Sequence, residues 1–126
     1  MKTLLILFFV AGVIFSACKK EETASLVGKW SLDSLVQKTY VNNQLDGSYT
    51  ENGDGITFDF QTTGNLVISY IGSSSDTVSY SIRGSNVEFN GGIYEIHGLT
   101  STNVTLYNKE DSGGGTYNEA FFYLER

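Results

Sequence analysis

The sequence predicts an all-β fold in which eight antiparallel strands close into an up-and-down barrel. Three observations carry this expectation. The 126 residues include 14 Gly, 8 Tyr, 8 Phe and no Pro, and they are otherwise rich in Val, Ile, Thr and Ser, a composition that favours pleated, half-buried strands. Short stretches alternate apolar and polar residues with a period of two, so each would bury one face and wet the other. The stretches between them are too short for the crossover helices that parallel strands require, which leaves antiparallel pairing and a meander that closes on itself. A two-sheet sandwich is the alternative architecture. A membrane-spanning barrel fits less well, because its strands need about 9–11 residues and most of these runs are shorter.

Eight runs follow in order. The first, VGKWSLDSLVQKTYV (27–41), is long and less regular than the rest. ITFDF (56–60) places Ile56, Phe58 and Phe60 on one face, and NLVISYI (65–71) follows after the turn-forming TTG. TVSYSIR (77–83) sets Val78, Tyr80 and Ile82 against Ser79, Ser81 and Arg83, and NVEFN (86–90) alternates Val87 and Phe89 with Glu88. IYEIHGL (93–99), NVTLYN (103–108) and YNEAFFYLER (117–126) complete the set. Antiparallel alternation sorts the connections into two ends. Those at 61–65, 83–86 and 99–103 lie where the first run begins, and all are short. At the opposite end lie 42–55, 72–76, 91–92 and 109–116; three of these four are longer, and their Gly, Ser and Asp suit a flexible rim. Tyr49, Asp54, Lys109 and Tyr117 are the candidate rim residues for a ligand or partner.

The N-terminal residues indicate export. Lys2 precedes an unbroken apolar or glycine run over 4–15, which is too short to cross a bilayer as a helix but suits the core of a signal peptide. Ser16 and Ala17 then lead to Cys18, the single cysteine. FSAC resembles the lipobox of bacterial lipoproteins, in which the cysteine takes a diacylglycerol and becomes the new N-terminus. The resemblance implies a signal peptide over 1–17, lipidation at Cys18, and a tether over 18–25. Each buried methylene contributes about 0.8 kcal/mol, so two or three acyl chains hold a protein stably on a membrane. Lys19, Lys20, Glu21 and Glu22 resemble the export signal of surface lipoproteins of Bacteroidetes-type bacteria. This places the chain in the cell envelope as an outer-membrane lipoprotein, and favours surface display over an inward-facing anchor.

LVGKW (26–30) resembles the G-x-W signature that opens the first strand of lipocalins and related calycins. With the eight-strand count, the chain is similar to small lipocalin-like lipoproteins of Bacteroidetes-type bacteria, and residues 26–126 would form that domain. The resemblance implies that Gly28 and Trp30 lie at the closed floor of the barrel, with an arginine of the last strand, Arg126, over the indole. A guanidinium so placed contributes roughly 0.5–2 kcal/mol.

Charge and motifs narrow the function. Net charge is −6, and without residues 1–17 it becomes −7, because seven basic side chains then face fourteen acidic ones. An acidic surface repels phosphates, so nucleic acid is not an expected partner. A single cysteine allows no intramolecular disulfide. His97, the only histidine, reads as a structural or surface residue beside Glu95. No metal site, cofactor or catalytic residue is expected, since metal sites of the usual kind need three or four ligands, and G-x-S-x-G, H-E-x-x-H and P-loop motifs are all missing. The acidic stretch LDGSYTENGDG (45–55) lacks calcium-loop spacing and reads as solvated turns. DSL (33–35) and DTV (76–78) match the short pattern of O-glycan sites at Ser34 and Thr77, a pattern that arises often by chance.

Two functions fit these features, both in a monomer and neither enzymatic. Either the barrel binds a small apolar or amphipathic ligand at its mouth, or it is an interaction module with a solid core that binds a protein or glycan through its loops. A small eight-stranded barrel is wide enough for side chains or for one ligand. The resemblance to a binding superfamily favours the first.

Overall fold

A computed structural model describes residues 24–126. The expected signal peptide, Cys18 and the tether up to residue 23 lie outside the described residues. What is described is all-β, with nine strands: β1 (Gly28–Val41), β2 (Gln44–Asn52), β3 (Thr57–Phe60), β4 (Asn65–Ser69), β5 (Asp76–Arg83), β6 (Asn86–Phe89), β7 (Gly92–His97), β8 (Asn103–Gly113) and β9 (Thr116–Glu125). Consecutive strands from β3 to β9 pair antiparallel, β1 pairs with β3, and β9 returns to β1. Eight strands therefore form a closed antiparallel barrel, and β2 is one more.

The extra strand corrects the reading of 42–55 as a loop. Asn42 and Asn43 both adopt positive φ, 53° and 61°, as a two-residue hairpin turn that follows strand twist requires. The chain then runs back along β1, from Val41↔Gln44 to Ser34↔Asn52. All nine residues of β2 are exposed, so pairing rather than burial holds it, and no apolar alternation marks it. The reading of 109–116 as a loop is corrected too. β8 extends to Gly113, Gly113↔Thr116 closes the ladder, and only Gly114 and Gly115, with φ of 65° and 80°, are left to turn the chain.

β2 and β3 lie end to end along one edge of β1. β3 pairs with Gly28–Ser31, and β2 with residues 34–41. Between them the connection at 53–56 stays close against β1. Gly53 N donates to Asp33 O (2.9 Å), and Leu32 N donates to Ile56 O (2.9 Å). A Cβ on Gly53 would fall on the Leu32 carbonyl oxygen.

β1 is irregular for a physical reason. Against β9 its register shifts between Leu32 and Ser34, where Asp33 is the extra residue. Such a bulge reverses the phase of everything beyond it. Below it Trp30 and Leu32 are buried; above it Leu35, paired with Phe122, takes over the inward phase.

The lower barrel is filled by side chains. Trp30, Phe60, Leu66, Val87 and Leu106 are fully buried, with Leu26, Phe58, Val104 and Leu124 close behind. Phe60 meets Tyr80 edge-on at 5.1 Å, and Tyr94 stacks on Phe89 at 4.4 Å. These are favourable quadrupole geometries. The Tyr80 hydroxyl donates to Gln61 O (2.6 Å), which satisfies its one polar group.

Candidate functional site

The floor is closed by the residues of the G-x-W stretch. The Trp30 Nε1–H donates to Leu26 O (2.9 Å), and Arg126 Cζ sits 3.9 Å from the indole ring centroid. The same guanidinium donates to Val27 O and Ser25 O (both 3.0 Å) and through Nε to Ser101 O (2.9 Å). Gly28 has φ 129°, and Arg126 Nη1 lies 2.7 Å from where its Cβ would be. One cation thus ties the start of β1 to the end of β9 over a buried indole. The Trp30–Arg126 contact is structural, and beside it an open groove of about 510 Å³ is lined by Leu26, Ile82, Ile96 and Leu99.

The opposite end is open. β1, β2, β8 and β9 continue past the ring of short strands as a four-stranded sheet, since β1–β9 pairing runs up to Tyr40↔Tyr117 and β8–β9 pairing up to Gly113↔Thr116. On its inner side a cleft of about 400 Å³ is lined by Gln37 and Thr39 of β1, Asn108 and Glu110 of β8, and Asn118, Ala120 and Phe122 of β9, with Tyr94 of β7 facing them. Strand phase explains the chemistry. Along β8 the inward positions read Val104, Leu106, Asn108, Glu110; along β9 they read Leu124, Phe122, Ala120, Asn118. Each column is apolar in the barrel and polar at the mouth. The cleft therefore has an aromatic floor, where Tyr94 meets Phe122 edge-on at 5.7 Å, and a rim of amides. The Asn108 Nδ2–H donates to Ile93 O (2.8 Å), which fixes that side chain. Burial, and then the nearby charge of Glu110, push the Tyr94 phenol above its ordinary value. Its ring stands against Gly92, where a Cβ would come within 3.0 Å of it.

The four rim residues expected from the sequence do not converge here. Tyr49 lies on the inner side of β2, strongly exposed, its hydroxyl donating to Glu51 Oε1 (3.1 Å). Lys109 and Tyr117 come together, with Nζ 4.2 Å from the ring centroid, but on the outer side of the sheet. Asp54 occupies the turn between β2 and β3 with φ 47°. On that outer side Tyr40 stacks on Tyr117 at 4.5 Å and Lys38 lies over Phe121. The Tyr107 hydroxyl donates to Glu119 Oε2 (2.5 Å); burial and this carboxylate push the Tyr107 phenol well above its ordinary value. The cleft residues Gln37, Thr39, Tyr94, Asn108, Glu110, Asn118, Ala120 and Phe122 were not singled out from the sequence. A signal existed in β8 and β9, where the core phase continues into Asn108 and Asn118.

Other sequence candidates stand apart from the cleft. His97 Nε2 is 3.5 Å from Glu95 Oε1, both exposed. Among the described residues no three of His, Cys, Asp and Glu come together as metal ligands would. Ser34 sits just past the bulge, its hydroxyl bonded to Asp33 (3.2 Å), and Thr77 is exposed on β5. The barrel and its mouth define the architecture of a small closed antiparallel barrel with one polar-rimmed opening. No family model, no curated protein and no solved structure matches the chain.

Proposed function

We propose that this protein is a lipid-anchored, non-enzymatic binding barrel that takes one small amphipathic ligand at its mouth. The observation that carries the reading is the cleft itself, whose aromatic floor of Tyr94 and Phe122 lies beneath the amides of Gln37, Asn108 and Asn118. A ligand with a small apolar part and a larger polar end matches that gradient, because the polar lining of Gln37, Asn108, Glu110, Asn118 and Glu119 exceeds the aromatic floor. The filled barrel below limits the ligand to the mouth. Native mass spectrometry of the protein purified from its own host should detect one bound small molecule. Asn118→Leu combined with Tyr94→Ala should weaken its retention by about tenfold or more, the effect of losing roughly 1.4 kcal/mol. A ligand retained equally by the double variant would place its site elsewhere and overturn the reading.

The anchor belongs to the same proposal. Arg126 holds Ser25 at the floor, so a lipidated Cys18 a few residues upstream would turn the floor toward the membrane and the mouth toward solvent, at the outer membrane surface. Cys18→Ser should leave the protein in the aqueous phase on detergent partitioning, whereas the wild type enters the detergent phase. Equal partitioning of the two would contradict a lipid anchor at this residue.

A further inference from the structure

Among the described residues, β2 is the one strand whose outer edge is unpaired along its whole length. It ends the sheet order and pairs with β1 only, whereas the barrel strands have neighbours on both sides and β8 loses its β7 partner only past Tyr107. An edge of nine residues is long, and natural proteins usually blunt such edges with Lys, Pro or a cover. β2 contains neither residue. The strand carries Asp46 and Glu51 with no Lys or Arg, and Asp54 follows it; the nearest cation by register is Lys38 of β1, opposite Ser48. Exposed apolar side chains also gather here. Val41, Leu45, Tyr49, Tyr70 and Ile71 are five of the eight large hydrophobics left exposed, Ile71 at 77 %.

The surrounding fold leaves room for one more strand. β4 pairs with β3 up to Thr57↔Ser69 and then turns away, while β2 carries the line of β3 onward along β1. A strand added antiparallel to β2 would continue the line of β4, resting on Tyr70 and Ile71, where Ile71 packs over Gly55.

We propose that this edge is a strand-addition site for an extended segment of a partner protein in which Lys or Arg alternate with apolar residues. Main-chain hydrogen bonds to β2 would supply affinity and alternate side chains specificity. The acidic surroundings select a basic partner, since like charges placed opposite one another are repelled and opposite ones guide encounter. A second copy of this chain fits poorly, because two β2 edges would bring two pairs of Asp46 and Glu51 together with no cation among them. The proposal stands apart from the mouth cleft and does not rest on it.

The test uses the full chain and a labelled, end-blocked ten-residue peptide of alternating Lys and Val. Binding should be seen by fluorescence anisotropy, with amide hydrogen exchange slowed across residues 44–52. Methylation of the backbone nitrogens along one peptide edge keeps its charge but removes its donors, and should weaken binding about tenfold or more. The double variant Asp46→Lys, Glu51→Lys should do likewise. Equal binding of the methylated peptide would reduce the contact to charge attraction and overturn strand addition. Slowed exchange at the cleft rather than at β2, or dimerisation through β2 without peptide binding, would overturn it as well.

Discussion

Trp30→Ala is expected to cost about 3–5 kcal/mol, the range for large buried aromatics truncated to alanine. The indole is fully buried, donates to Leu26 O and lies under the Arg126 guanidinium. Truncation would open a cavity, orphan a carbonyl and leave the cation without its ring. In a domain of this size each kcal/mol moves Tm by roughly 4–8 °C, and total stability is typically about 5–15 kcal/mol. The variant should therefore melt at least 12 °C or so lower, or fail to fold. Circular dichroism is the suitable probe, because Trp30 is the only tryptophan and its fluorescence goes with it. A Tm within a few degrees of the wild type would show that the floor does not depend on this side chain.

Gly53→Ala should rank next. The new methyl would fall on the Leu32 carbonyl oxygen with the Asp33 carbonyl also close, so backbone rather than a pliable side chain must move. The movement would break Gly53 N to Asp33 O and strain the neighbouring Leu32 N to Ile56 O bond. Overpacking usually costs about 1–3 kcal/mol, and a backbone clash belongs at the top of that range or beyond it. Gly47→Ala, also in β2, is the matching control, because a Cβ there meets nothing within 4 Å. Its effect should stay within about 0.5 kcal/mol. Urea denaturation of the pair separates the two outcomes, and similar midpoints would show that the close contact at Gly53 yields easily.

The contrast between these glycines bears on what could be read in advance. Neither Gly53 nor Gly47 is distinctive in LDGSYTENGDG. Gly53 has no room for a side chain only because β1 passes against it, an approach set by residues some twenty positions away. The same holds for the cleft. Asn108 and Asn118 continue an inward phase visible in their own strands, whereas Gln37 and Thr39 face the mouth only because Asp33 is an extra residue opposite β9. Without knowledge of that bulge, alternation extended from Trp30 and Leu32 puts them on the wrong face.

What the sequence determined by itself is the all-β class, the antiparallel closure and the position of most strands. Ile56–Phe58–Phe60, Val78–Tyr80–Ile82 and Val87–Phe89 declare their faces through a period that each strand carries within itself. The tertiary structure alone decided that 44–52 is a strand, that β8 and β9 reach past the ring, and that the candidate rim residues Tyr49, Asp54, Lys109 and Tyr117 divide between two sides of a sheet and a turn. The physical reason is the source of the stabilisation. A strand that buries a face records the burial in its own residues, but β2 is held by hydrogen bonds to β1. Backbone hydrogen bonds are common to nearly every residue type, so such a strand leaves no apolar pattern to read.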